Sequence, residues 1–396
     1  MTLHDDFRIE TRGWLEENCP KEMRRTVTTE EDICWGGRNW TFKSPAQKQW
    51  LDSMASVGWT VPSWPKEYGG GGLSGDEVKI LKEEMKRINA ISPLESFGIW
   101  MLGPALLKYG SHEQKLEHLP KIATGEHRWC QGYSEPGAGS DLASVQTKGV
   151  DMGDHFLVTG QKVWTSYADQ ADWIFALVRT EPDAKKHKGI SFLLFDMASE
   201  GVSTKPILLI SGGSPFCETF FDCVKVPMEN VVDERGNGWT IAKYLLTHER
   251  EMVSSLDAIF GGSTGLYETA LKCIGLDDSG RLDDPLLRAD IGDFIVDEIA
   301  LTAHLAAAKD FHRAGNQLGA RSAELKYLGT ELNKRRQSLA VQSGGLEALT
   351  GPEDNNGIGR PAATWLRSKG NSIEGGTSEI MLSIISKAVL RLPTLG

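Results

Sequence analysis

Apolar positions change their spacing twice along the chain. Up to about residue 128 they recur with helical period: Ser74-Gly-Asp-Glu77 is a capping box, and behind it Val78, Leu81, Met85 and Ile88 fall three or four apart. From about 129 to 235 the runs are short and β-like: His155-Phe-Leu-Val158, Trp173-Ile-Phe-Ala-Leu-Val178, Ile190-Ser-Phe-Leu-Leu-Phe195 and Glu218-Thr-Phe-Phe221. Gly, Asp and Pro turns separate them, which predicts an antiparallel sandwich or barrel. From Trp239 onward the helical period returns and holds almost to the end. Eight of the twelve tryptophans fall by position 129, which predicts a large, tightly filled helical core in the first zone. The pattern therefore predicts an α+β chain of three parts: an N-terminal α-helical domain over 1–128, a middle antiparallel β domain over 129–236 and a C-terminal helical bundle over 237–396. No internal repeat or low-complexity segment interrupts it.

Composition sharpens this picture mainly by exclusion. With 396 residues, 40% hydrophobic and 24% charged, the chain can bury a large core, which excludes disorder and a disulfide-stapled miniprotein. Its net charge of −11 argues against nucleic acid or an anionic membrane as the main partner. Cysteines at 19, 34, 130, 217, 223 and 273 show no C-x-x-C spacing and no His in zinc-ligand register, so they read as free, mostly buried thiols of a reducing compartment. No metal site is expected. Residues 1–18 are rich in Asp and Glu without an apolar core, and no apolar run approaches the ~20 residues needed to span a bilayer. The expectation is a soluble, cytoplasmic protein.

Several motif matches carry little. Gly70-Gly-Gly-Leu-Ser-Gly75 satisfies G-x-G-x-x-G, but no strand precedes it and no βαβ unit surrounds it, so it reads as a turn. Cys217 and Cys223 lie along a predicted strand and read as core. Lys185-Lys-His-Lys188 reads as a solvated hairpin tip, with contact to a CoA phosphate as the alternative.

Two segments carry more. In Trp129-Cys-Gln-Gly-Tyr-Ser-Glu-Pro-Gly-Ala-Gly-Ser-Asp-Leu142, a Pro136-Gly-Ala-Gly139 turn between hydroxyl-bearing residues offers backbone N–H groups to an oxygen-rich or heteroaromatic ligand. The second, Leu245-Leu-Thr-His-Glu-Arg-Glu251, sits in a predicted helix from about Thr240 to Cys273. Its apolar stripe runs through Ile241, Leu245, Met252, Leu256 and Ile259, and the steps from Leu245 and to Met252 land on Glu249. Glu251 instead shares a side with Tyr244, His248 and Ser255. A carboxylate on a buried stripe is either satisfied by an internal salt bridge or desolvated into a base usable near neutrality.

Ser134-Glu-Pro-Gly-Ala-Gly-Ser-Asp141, Gly160-Gln-Lys-Val-Trp164 and Gly376-Thr-Ser-Glu-Ile380 together resemble the signature of the acyl-CoA dehydrogenase family. The resemblance covers essentially the whole chain. Within the family, the Trp129-to-Tyr133 run and His248-Glu-Arg250 are similar to the large subunit of pimeloyl-CoA dehydrogenase and related bacterial enzymes. The resemblance implies a C-terminal four-helix bundle and FAD held between the β domain and that bundle, partly against a neighbouring subunit. It assigns Gln131, Gly132, Tyr133, Ser134, Gly139 and Ser140 to the flavin and the pantetheine entrance, with the Ser134 hydroxyl on the flavin ring. Trp164, Thr165 and Ser166 would cover the other side of the ring, and Thr377 and Glu379 would approach from the C-terminal bundle.

The reaction it implies is α,β-dehydrogenation of an acyl-CoA to the trans-2-enoyl-CoA. The thioester oxygen would take hydrogen bonds from the N–H of Gly376 or Gly375 and from the flavin ribityl chain. Many family members carry the base immediately before the C-terminal Gly-Thr, where this chain has Gly375. Glu374 stands one residue too early, and Glu249 matches a branch, including isovaleryl-CoA dehydrogenase-like enzymes, whose base lies on the helix after the β domain. Arg250 would help hold the CoA chain. The Arg-x-x-Phe-Gly that grips a neighbour's flavin diphosphate is reduced here to Arg281 within Gly280-Arg-Leu-Asp-Asp-Pro-Leu-Leu-Arg288. The resemblance thus implies a homodimer or homotetramer, or a heterotetramer with a homologous chain, and an electron-transfer flavoprotein as acceptor. The alternatives are a related flavin oxidase and a subunit of a heteromeric enzyme with little activity alone.

Overall fold

The computed structural model describes residues 3–27, 29–253, 265–316, 318–350 and 361–393, with only the backbone described at 3, 247–253 and 312–313. By internal contacts it divides into two compact units, Met1–Ile207 with Pro215–Leu245, and Leu208–Ser214 with Leu246–Gly396.

In the first unit, helices α1 (Leu3–Asn18), α2 (Pro45–Ser56), α3 (Gly75–Arg87), α4 (Gly103–Tyr109) and α5 (His112–Ala123) precede the sheet. The starts follow the sequence signals. Ser74 accepts from the Glu77 N–H while Glu77 reaches back to Ser74, Ser111 and Gln114 cap α5 in the same manner, and the Ser44 hydroxyl accepts from the Gln47 N–H at the start of α2. The expected tryptophan core is present: Trp50 is fully buried, its indole N–H donates to the Ile91 carbonyl at 2.9 Å, and Trp14 packs against both Trp50 and Trp59.

Seven strands follow: β1 (Trp129–Gly132), β2 (Lys148–Asp151), β3 (His155–Ser166), β4 (Trp173–Arg179), β5 (Ile190–Asp196), β6 (Val202–Ile207) and β7 (Phe216–Pro227). Along the sheet they run β1-β4-β2-β3-β7-β6, with β5 also on β4. The pairings are antiparallel except that β1, and β2 at a single position, run parallel to β4. Phe156, Val158, Ile174, Ala176, Val178, Leu193 and Phe195 fill the core of the sheet. The helices are tied to it by Asp172, a buried carboxylate accepting from the Arg38 and Arg128 N–H groups, and by Gln114, whose amide donates to Glu229 and Val231. The long β3–β7 ladder is broken by two register shifts, between Val158 and Gly160 and between Lys162 and Thr165. Cys223 lies opposite the first shift with φ +52° and is exposed, so only Cys217 of that pair is core; a bulge turns its extra residue out of the pleat.

Helix α6 (Gly238–Val253) follows the sheet, and α7 (Leu266–Ile274), α8 (Pro285–Arg313), α9 (Ser322–Thr350), α10 (Pro361–Ser368) and α11 (Ser378–Ile384) belong to the second unit. The single helix expected from Thr240 to Cys273 is not continuous. Gly265 is extended, with φ −55° and ψ 141°, and opens α7 afresh. Glycine lacks the Cβ that favours the helix and is the weakest link in such a run. In α9, Gly345 (φ +53°, ψ −134°) likewise separates two helical stretches. Leu266, Leu287, Ile291, Phe294, Leu325, Leu332 and Leu339 form the core of this unit.

Candidate functional site

The segments 131–135 and 162–166 lie side by side in the first unit. Gln131 and Gly132 end β1, paired with Phe175 and Ala176, and the chain continues so that the Ser134 carbonyl accepts from the Val163 N–H at 2.9 Å. Ser134 is half-buried, whereas the Tyr133 ring is buried edge-on against Phe175 and Phe192. Glu135 and Ala138 close the next turn by reciprocal backbone hydrogen bonds, so the Ala138 N–H, expected to face a ligand, is used within the turn. Gly139 and Ser140 are exposed beyond it. The Lys185–Lys188 tip is exposed as expected, and Lys186 pairs with Asp141 at 2.5 Å.

Across from Ser134, the second register shift of β3 places Trp164 at φ +61° and 54% exposed, its ring edge-on to Phe216. A bulky residue with positive φ is rare, and such strained positions cluster at functional sites. Beside it the Thr165 hydroxyl is buried without a partner among the described residues, as is the Gln131 amide nitrogen. Buried polar atoms are almost always paired. An exposed indole next to an unpaired hydroxyl, with an unpaired amide on the adjoining 131–135 segment, suits a planar heteroaromatic group such as a flavin.

Two buried charges that motif reading left without a role hold these segments. Lys162 Nζ donates to Glu135 at 2.8 Å and to the carbonyls of Leu177 and Tyr133 at 2.7 and 3.2 Å. Burial pushes its ammonium down to about 8. Glu135 accepts in addition from the Gln146 and Thr147 N–H groups; burial acts to raise its carboxyl, but the Lys162 charge and these hydrogen bonds hold it below the usual value. The available signal was a lysine on β3 at a position where the strand's alternation calls for an inward residue.

In the second unit the Gly375-Gly376 turn, with φ +64° and +102°, precedes α11. Lys326, fully buried on α9, donates to the Gly376 carbonyl at 2.7 Å and the Asn371 carbonyl at 2.8 Å, fixing the turn. Thr377 caps α11 through its hydroxyl, which accepts from the Ile380 N–H. Glu379 is exposed in the first turn, where backbone N–H and the Thr377 hydroxyl lower its carboxyl. The Glu374 carboxylate is engaged by Arg367 at 2.7 Å and by the Asn371 amide. Arg281 is exposed and held within its own turn, Nε donating to Ser279 at 2.6 Å. Ile241, Ala242 and Leu245 are fully buried, so the first half of the α6 stripe faces inward as predicted. The Glu249 and Arg250 side chains lie outside the described residues.

Three family models match the chain in order: Acyl-CoA dehydrogenase, N-terminal domain, over residues 4–126; its middle domain over 130–224; and its C-terminal domain over 236–390. The chain belongs to the acyl-CoA dehydrogenase family. Acyl-CoA dehydrogenase IpdE1 of Mycolicibacterium smegmatis is 34% identical over 402 residues, covering 98% of this chain and 97% of that protein. The IpdE1 of Mycobacterium tuberculosis is also 34% identical, covering 98% of each chain. Among solved structures, the Tcur3481–Tcur3483 steroid ACAD has a TM-score of 0.76 and 30% identity, covering 98% of this chain and 97% of that one. The ChsE4–ChsE5 complex from Mycobacterium tuberculosis has a TM-score of 0.72 at 28% identity, covering 100% and 98%. The helical, β and helical zones are thus the three-part acyl-CoA dehydrogenase architecture, and the protein is an acyl-CoA dehydrogenase, an oxidoreductase of a flavoprotein family. Among the described residues no helix is long and apolar enough to cross a membrane.

Proposed function

We propose that this acyl-CoA dehydrogenase converts an acyl-CoA to its trans-2-enoyl-CoA with FAD as cofactor and Glu249 as the base, within domains spanning 1–128, 129–236 and 237–396. The observation that carries the flavin reading is the strained, outward-turned Trp164 with the unpartnered Thr165 hydroxyl next to it. Bound FAD supplies the acceptor for the β hydride. The chain's own part is geometric and electrostatic. Ser134, Thr165 and Ser166 offer hydroxyls to the ring, and Thr377 and Glu379 serve from α11. Ser140 and Arg250 bind the CoA chain. The N–H of Gly376 or Gly375 donates to the thioester oxygen, where such a preorganised donor is worth ~3 kcal/mol as enolate charge develops.

Glu249 removes the α proton. In support, its rival Glu374 is engaged by Arg367 and Asn371, a geometry that suits a structural carboxylate rather than a mobile base. The acyl group is read from the relatives: a solved neighbour is a steroid ACAD, so polycyclic side-chain thioesters come first. The test is anaerobic titration of the flavin-loaded protein with steroid-type, branched, dicarboxylic and straight-chain acyl-CoAs. Bleaching of the flavin band by one class supports the reading; no bleaching by any, in a protein that holds FAD, would overturn it. An electron-transfer flavoprotein then reoxidises the enzyme, in a cytoplasm to which the four buried free thiols are suited.

A second reading concerns assembly. Helix α8 exposes Ile295, Val296 and Ile299, and Arg281 is engaged within its own turn. With two heteromeric complexes among its structural neighbours, the chain works as a homodimer or homotetramer, or in a heterotetramer with a homologous chain.

A further inference from the structure

Lys162 occupies an inward position of β3 among Phe156, Val158 and Thr165, with no exposed surface. Its ammonium reaches three acceptors on two other stretches of chain: the Tyr133 carbonyl, the Glu135 carboxylate and the Leu177 carbonyl. Glu135 in turn receives the Gln146 and Thr147 N–H groups. The pair therefore knots together the chain leaving β1, the bulged end of β3, strand β4 and the loop entering β2.

Stability alone does not explain such a pair. Taking two charges out of water is costly, and apolar residues of similar volume in such places are often as stable or more so. What an ion pair with five directed hydrogen bonds supplies is a fixed geometry. The geometry it fixes is specific: Ser134 immediately precedes Glu135, Trp164 stands two residues after Lys162, and the Ser134 carbonyl and Val163 N–H are bonded between them.

We propose that the Lys162–Glu135 pair is a positioning device for the flavin site, holding Ser134 in register with the Trp164–Ser166 bulge. The inference rests on the reading of those two segments as flavin-binding. Lys162 and Glu135 act through their neighbours and touch no cofactor themselves.

The test compares the parent protein with the double variant Lys162→Met/Glu135→Leu and with Glu135→Gln, which preserves shape and removes the charge. For each, the apoprotein melting temperature, the Kd for FAD on reconstitution and the visible spectrum of the bound flavin are measured. Both variants should fold, and the double variant should melt within a few degrees of the parent. Its Kd for FAD should rise tenfold or more, with a shifted flavin band, and Glu135→Gln should shift the band in the same direction by less. Lys162→Arg, which keeps the charge, should recover part of the affinity. A folded double variant with the parent's Kd and spectrum would overturn the proposal. Should the double variant not fold, an unchanged Kd and band in Glu135→Gln would do the same. Failure of the parent itself to bind FAD would instead overturn the flavin reading, so the two failures are distinguishable.

Discussion

Two carboxylates compete for the proposed role of base, and the contacts of one and the sequence pattern around the other separate them. Glu374 gives its two oxygens to Arg367 and Asn371, whereas Glu249 continues a stripe whose first residues, Ile241 and Leu245, are fully buried. Glu249→Gln preserves size, so FAD retention and acyl-CoA binding should persist while the rate of flavin reduction falls about 10³-fold. Stopped-flow bleaching checks this, and Glu374→Gln should reduce its flavin at close to the parental rate. The reverse pattern would reassign the base. Trp164 poses a different residue-scale question, because its backbone is held at φ +61°, in the left-handed region that glycine adopts freely. Trp164→Gly should leave the apoprotein at least as stable, strain of ~1–3 kcal/mol being relieved, yet weaken FAD binding because the indole is lost. Calorimetry of the apoprotein and FAD titration read the two effects separately. A variant that loses stability and keeps its affinity would assign the indole to packing.

At the scale of elements, a charged clamp joins helices that also share an apolar core. Glu84 on α3 is buried and receives Arg12 and Arg8 from α1 and Arg87 from its own helix. Hydrogen bonding from Arg12, with Arg87 and Arg8, overcomes the cost of burial and draws the carboxyl down from 4.5 to about 2. A carboxyl whose pKa is lower in the folded than in the unfolded chain stabilises the fold above its unfolded value, and that contribution is lost as pH falls through the folded one. The melting temperature should therefore drop as pH falls from 4.5 toward 2, and more gently in Glu84→Gln. At neutral pH the same variant should lose about 1–3 kcal/mol. Equal acid sensitivity in parent and variant would assign the acid transition to other groups. Beyond α1 and α3, the device recurs in Lys326, whose buried ammonium ties the Gly375-Gly376 turn to α9.

For the whole molecule the question is assembly. Ligand and subunit binding to one folded state reinforce each other by mass action, so flavin retention and oligomer formation should rise and fall together. Light scattering and the flavin-to-chain ratio, measured through a dilution series with and without candidate homologous chains, check this. The expected outcome is loss of flavin on dilution to monomer, restored by concentration or by the partner. A monomer holding one flavin per chain and turning over acyl-CoA unaided would refute it. Replacing Val296 and Ile299 on the exposed side of α8 with Lys should lower the association constant, since burying that apolar face would no longer favour contact.

Period alone was enough to read the helix–sheet–helix plan, because a face that must be buried leaves its spacing in the chain whatever it packs against. The cap at Ser74 and the inward run of α6 at Ile241 and Leu245 were legible for the same reason: each is a relation between residues a few positions apart. Strands β1, β2 and β6 escaped that reading, being four to six residues long with polar or glycine interruptions. The segments proposed to face the flavin were legible as motifs, but their geometry was not. The positive φ of Trp164 arises from a register shift against β7, a strand some fifty residues on, and no local propensity favours it. Nothing local names the partners of Lys162 or Lys326. Their partners, 15 to 50 residues away, make them interior clamps, because only the folded chain brings an acceptor to a buried ammonium. Local sequence determined which faces turn inward; the tertiary structure decided which charges meet there, since that pairing depends on distances the chain acquires only by folding.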